Sequence, residues 1–138
     1  MTISDDIRDV LEADPILAGI LTGGVYSGIA EISRQNAPDA FDANGEILPC
    51  ALVKPGTEIK SGPHQHSVQT PITIYIYQCR LYDIIENAMV RTYSLLHEKK
   101  IGSHTWQVLY DSSVSNQRDT ALECSLSTLR FNAVRSRQ

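Results

Sequence analysis

Between Val68 and Lys100 the spacing of apolar positions changes once. Ile72, Ile74 and Ile76 alternate with Thr73, Tyr75 and Tyr77, a period of two that puts one residue set on each face of a strand. After Gln78-Cys79-Arg80 the apolar residues recur at steps of three and four, through Leu81, Ile84, Ile85, Ala88, Met89, Leu95 and Leu96. Those steps line one face of a helix. The pattern predicts a strand from about His66 to Arg80 that feeds directly into a helix from about Leu81 to Lys99. His97, Lys99 and Lys100 sit where a helix dipole favours cations, and Gly102 offers a stop.

Upstream, Ser4 and Asp5 can cap a helix with apolar positions Ile7, Val10 and Leu11. Pro15 interrupts it, because proline removes a donor and restricts the preceding residue. A second helical piece from Pro15 to Thr22 is expected, capped by Asp14 and stopped by Gly23-Gly24. Val25 to Ile32 reads as a short extended segment and Gln35 to Gly45 as a surface loop rich in turn residues. Strand character returns from Glu46 to Lys54, with Pro49 confined to an edge or to the strand's beginning. Gly56 to Gln65 is a polar hairpin loop or arm that brings the chain back antiparallel.

Downstream, Ser103 to Asp111 reads as a strand with Trp106, Val108 and Tyr110 on one face, and Ser112 to Asp119 as a polar turn. In the last strand, Ala121 to Val134, apolar residues fall at 122, 124 and 126, then at 129, 131 and 133. A regular strand cannot change face. The flip requires either a β-bulge near Ser127-Thr128 or a strand whose buried side swaps along its length. The expected fold class is α+β: a mostly antiparallel β-sheet with one long helix packed on it and a short N-terminal helix. One domain is expected over 1–138, with a helical region at 3–22, two strands and an arm at 46–80, the main helix at 81–100 and two strands at 103–134.

Composition narrows the function. The chain has 138 residues, 42% hydrophobic and 20% charged, enough for a core without staples. Its 12 basic and 16 acidic residues give a formal charge of -4, the wrong sign for a dedicated nucleic-acid binder. Arg130, Arg135 and Arg137 form a basic tail, read as solvated. Cys50, Cys79 and Cys124 are odd in number and lie in apolar contexts, so they read as small buried hydrophobes in a reducing compartment. The N-terminus lacks the pattern of a signal peptide, and no run approaches the length of a membrane span. A soluble protein made in the cytoplasm is expected.

Chemistry-bearing patterns are sparse. His64 and His66 form an HxH pair whose imidazoles could share a metal, which would need a third ligand. His97 and His104 lie apart from it. Asp5-Asp6 and Asp39/Asp42 are explained by a helix start and a turn-rich loop. Leu21 to Tyr26 lacks the Lys-Ser/Thr of a phosphate loop. Tyr75, Tyr77, Trp106 and Tyr110 serve a core or a subunit contact more readily than base stacking. No catalytic residue set and no cofactor site is read, so the expectation is a non-enzyme.

The order of elements is marked by Gly23-Gly24-Val25-Tyr26, Leu48-Pro49-Cys50-Ala51-Leu52-Val53, Ile72 to Tyr77, a long helix and Leu129-Arg130-Phe131-Asn132-Ala133. It resembles the tail-terminator and tail-completion proteins of tailed bacteriophages, including their minor tail and head-tail joining chains, over about residues 5 to 135. The resemblance implies a virion protein assembled in the host cytoplasm as a homo-oligomer, a six-fold ring. Such a ring caps the tail tube protein and joins it to the head connector or stopper protein. DNA would pass its lumen without specific binding, and no membrane is involved. The resemblance also implies that the arm, through Glu58, Lys60, His64 and His66, reaches a neighbouring subunit or ring. Two other classes remain open: a small α+β module binding peptide or nucleic acid, and a metal-dependent enzyme using His64 and His66.

Overall fold

The computed structural model describes residues 2–60, 67–102 and 105–136. Two helices open the chain, α1 (Ile3–Ala13) and α2 (Pro15–Ile20). The α1 cap is Thr2 and not Ser4 or Asp5: Thr2 Oγ1 accepts the Asp5 N–H at 3.2 Å. Asp14 caps α2 as its sequence position requires, accepting the Leu17 N–H at 2.9 Å with Pro15 in the first turn.

Six strands follow among the described residues: β1 (Val25–Ser27), β2 (Cys50–Pro55), β3 (Ile59–Lys60), β4 (Ser67–Gln78), β5 (Thr105–Asp119) and β6 (Cys124–Ser136). Their order is β1-β2-β4-β6-β5, with β3 beside β4 past the end of β2. The β1–β2 pair is parallel and the others are antiparallel, so the sheet is mixed but mostly antiparallel. Helix α3 (Asp83–Leu96) links β4 to β5. It has 14 residues against 11 in α1, so the helical layer is shared and does not rest on one long helix alone.

The two halves of the Gly-Gly-Val-Tyr and Leu-Pro pattern touch. The Gly23 N–H donates to the Pro49 carbonyl at 2.8 Å, and the Ala51 N–H to the Gly24 carbonyl at 3.1 Å. A Cβ on Gly23 would stand 3.0 Å from Leu48 Cβ and 3.1 Å from the Pro49 carbonyl oxygen, so this close approach needs glycine. Gly24 has φ +96°, which turns the chain into β1. The Tyr26 hydroxyl closes the turn on the Gly23 carbonyl at 2.6 Å. Pro49 lies just before β2, where its missing donor breaks no rung.

Each face of the sheet has its own apolar cluster. On one face Ala51, Val53, Ile72, Ile74, Ile76, Leu129, Phe131 and Ala133 pack under Ile3, Ile7 and Leu11 of α1 and Ile85, Ala88 and Leu96 of α3. On the other, Cys50, Leu52, Tyr77 and Cys124 are covered by Ile32, Ala37, Ala40 and Ile47. The Gln35 to Gly45 segment is therefore not only a surface loop. Ala37 and Ala40 are buried, and Pro38–Ala40 forms a 3₁₀ turn that serves as a lid over one end of the sheet.

This second layer explains the phase flip in β6. Cys124 and Leu126 pack under the lid, and Leu129, Phe131 and Ala133 pack under the helices. No bulge exists at Ser127-Thr128 against β4: the register runs unbroken from Ser67↔Ser136 to Gln78↔Ser125. The irregularities lie in β5, between Thr105 and Gln107, Tyr110 and Ser112, and Val114 and Gln117. Ser112 to Asp119 is not a turn but the second half of β5, and the chain reverses at residues 120–123. Residues 112–119, polar apart from Val114, lie on an edge strand of the described sheet, and pairing with β6 holds them in place on either side of the register shift at 115–116, where Asn116 turns to φ 57°.

The α3 helix is shorter than its apolar pattern suggests. Leu81 stands outside it at φ 64° and is 73% exposed. The helix ends at Leu96 with His97 as cap, and Lys99 leaves it to bridge Val108. Gly102 is thus not its stop, and no base occupies its last turn.

Candidate interaction surfaces

Helix α3 is held at its start by a side chain from the sheet. The Gln78 carbonyl oxygen accepts the Ile84 and Ile85 N–H groups at 3.1 Å each, and its amide donates to Asp83 at 2.8 Å. These bonds satisfy donors that Tyr82, with no capping side-chain bond, leaves open. The amide donation from Gln78 also lowers the Asp83 carboxyl from its ordinary value. Ile85, Ala88, Thr92 and Leu96 then face the sheet, and Val90 and Tyr93 face outward, 69% and 41% exposed.

An apolar groove of about 360 Å³ lies between this side of α3 and strands β5 and β6, lined by Met89, Val90, Tyr93, Ser94, Tyr110 and Leu129. Its aromatic rings continue from the core. Phe131 meets Tyr110 edge-on at 5.8 Å, Tyr110 meets Tyr93 edge-on at 5.2 Å, and Tyr93 stacks on His97 at 4.7 Å. His97 Nδ1 accepts the Tyr110 N–H at 3.0 Å, which places its proton on Nε2. The imidazole is therefore a structural link between α3 and β5. An exposed valine among rigid aromatic rings suits protein contact better than bond-making chemistry.

A polar cleft of about 560 Å³ opens at the lid end of the sheet, with Arg34, Glu46, Cys79, Arg80, Arg118 and Glu123 on its walls. Arg34 lies over the Phe41 ring at 4.9 Å and donates to the Gly45 carbonyl. Arg80 meets Glu46 at 3.4 Å, and the Cys79 thiol donates to the same carboxylate at 3.3 Å. Burial and Glu46 push the Cys79 thiol upward. A thiol beside a carboxylate stays protonated, which is the reverse of an activated nucleophile. Burial likewise pushes Cys50 and Cys124 up to about 12 each.

Of the residues predicted to make subunit contacts, Glu58 is exposed between β2 and β3, and Lys60 lies in β3, its backbone paired with Val68. His64 and His66 lie outside the described residues, as do His104 and the side chain of Trp106. The acidic pairs have local roles. Asp5 accepts the Ser27 hydroxyl at 2.6 Å, which holds its carboxyl low. Asp42 accepts the Asn44 and Glu46 N–H groups at 2.9 and 3.0 Å. Among the described residues no group of three or more His, Cys, Asp or Glu side chains could hold a metal ion, and no helix is long and apolar enough to cross a membrane. Sequence reading missed the α3 groove and the cleft, because both join residues distant along the chain. The solvent-facing Val90 on an otherwise amphipathic helix was the one local signal.

No protein-family model matches the sequence, and no curated protein matches it. Among solved structures, the chain is similar to a chain of the "Virion of native gene transfer agent (GTA) particle". The match has a TM-score of 0.67 at 12% identity and covers 96% of this chain and 93% of that one. At that identity the likeness is one of fold, and it extends over nearly the whole of both chains.

Proposed function

We propose that this chain is a structural, non-enzymatic subunit of a phage-like virion. It acts in the neck or tail as a ring, of six copies by resemblance to tail terminators, that caps the tail tube and joins it to the head connector. The observation that carries this reading is the end-to-end match in fold to a virion chain. The apolar α3 groove and the long β5 edge offer two different surfaces, as a head-to-tail ring interface requires. The acidic balance of the chain fits a lumen that lets DNA slide, since phosphate binding is largely electrostatic. In this reading the arm around Glu58, Lys60, His64 and His66 reaches the next subunit or ring.

Native mass spectrometry and electron microscopy of the purified chain, alone and with tail tubes, test the proposal. Closed rings, or rings formed only at tube ends, support it. A chain that stays monomeric with tubes present and is missing from intact particles rejects it. Deleting residues 60–65 separates the arm's part, because assembly unchanged by the deletion removes the arm from the interface.

A further inference from the structure

We infer that Cys79 and Cys124 form a cross-strand oxidation site that can close into a disulfide between the ends of β4 and β6. The last rung of that ladder pairs Gln78 with Ser125, where β4 ends, and continuing the same register by one position brings Cys79 level with Cys124. Directly opposed residues of an antiparallel pair have Cα atoms about 4.5–5.5 Å apart, inside the range of about 4.4–6.8 Å that a disulfide spans. Both side chains lie on the lid face: Cys124 is a member of the cluster there and Cys79 packs against it. Cys50 belongs to the same cluster but sits on β2 opposite Tyr77, with β4 between it and β6.

The two thiols differ in access. Cys124 is fully buried, and Cys79 is half-buried on the wall of the polar cleft. Arg34, Arg80 and Arg118 line that cleft and would draw in a small disulfide that carries carboxylates. Such a disulfide is the oxidant class we assign. The Cys79 thiolate attacks one sulfur of the oxidant, forming a mixed disulfide and releasing one small thiolate. The Cys124 thiolate then attacks the Cys79 sulfur, closing the protein disulfide and releasing the second. Two protein thiols are oxidised, one small disulfide is reduced to two thiols, and the two protein protons pass to the departing thiolates. Cys79 must first leave Glu46, to which it now donates. Because both thiols are held protonated, the reaction should be slow at neutral pH and quicken as pH rises.

The test uses the full chain and glutathione disulfide in mildly alkaline buffer, quenched by alkylation and read by peptide mapping. The expected result is one cross-linked pair, Cys79 with Cys124, with Cys50 alkylated only after denaturation. The oxidised protein should melt several degrees higher than the reduced one. Cys50→Ser should close the same bond, and Cys124→Ala should stop at the mixed disulfide on Cys79. Arg80→Ala with Arg118→Ala should slow the reaction with glutathione disulfide but not with uncharged hydroxyethyl disulfide. Pairing of Cys79 with Cys50, a mixed disulfide that never resolves in the wild-type chain, or three unreacted thiols would overturn the inference. Equal slowing with both oxidants would remove the arginines from it.

Discussion

Asp14 and Arg91 meet in a two-point ion pair across 77 positions of chain. Arg91 Nε donates to Asp14 Oδ2 at 2.9 Å and Nη2 to Oδ1 at 2.7 Å. The same carboxylate caps α2 through the Leu17 N–H, and its side chain is only 7% exposed. One residue thus ends α1, starts α2 and fastens both to α3.

The pair predicts an acid-sensitive component of stability. The Arg91 hydrogen bond holds the Asp14 carboxyl below its ordinary value. A carboxyl lowered on folding stabilises above its unfolded pKa, and this contribution fades as pH falls below about 4 toward the folded value. Asp14→Asn and Arg91→Met should each lower Tm by several degrees at pH 7, and the double variant by less than the two together. Thermal melts from pH 7 to pH 2 should show a shallower acid loss for Asp14→Asn than for the wild type.

Gly23 should tolerate no side chain. Gly23→Ala sets a methyl against Leu48, the Pro49 carbonyl and Cys50 at 3.0–3.1 Å, and the backbone there is pinned by the Gly23–Pro49 hydrogen bond. A loss of about 1–3 kcal/mol is expected from overpacking. Gly28→Ala is the comparison: its φ is +76° but nothing lies within 4 Å, so it should lose only about 1–2 kcal/mol for the left-handed backbone. Urea melts measure both losses, and a larger loss at Gly28 than at Gly23 rejects the packing argument.

Leu81 is a stabilisation target. A leucine at φ 64° and 73% exposed carries backbone strain and buries little. Leu81→Gly should raise the unfolding free energy by up to about 1 kcal/mol, read from the denaturant midpoint at unchanged m-value.

Thr92 offers a second gain. Its hydroxyl is buried on the sheet-facing side of α3 with no hydrogen-bond partner among the described residues. Thr92→Val keeps the shape and removes the orphan, so stability should rise by about 1 kcal/mol. Chemical denaturation measures it.

Val90 separates assembly from folding. It is 69% exposed on the rim of the α3 groove, so Val90→Glu should leave Tm unchanged. If the groove is a ring contact, the same variant abolishes ring formation in native mass spectra, because an unpaired charge is costly in an apolar contact.

Local periodicity made much of the fold legible. The alternation of Ile72, Ile74 and Ile76 marks β4, the three- and four-residue steps from Ile84 mark α3, and Asp14-Pro15 marks the break between α1 and α2. Each is a short-range constraint, decided by backbone geometry within a few residues. Elements that depend on distant partners read poorly. The polar half of β5 resembles a turn until its bonds to β6 are seen, and Leu81 fits a helical face that the chain has not yet entered. The α3 groove and the lid-end cleft join segments far apart in sequence.

Local spacing along the chain is enough to say which residues seek burial, where proline and glycine cut the chain, and that strand and helix mix in one sheet-based fold. Which face each apolar residue uses is settled by packing in three dimensions. The flip along β6 is local in sequence, but its cause is the lid around Ala37 and Ala40 on one side and α1 with α3 on the other. A strand's pattern records that both faces are covered somewhere. The identity of the covering segments is set by long-range packing, which no local spacing encodes.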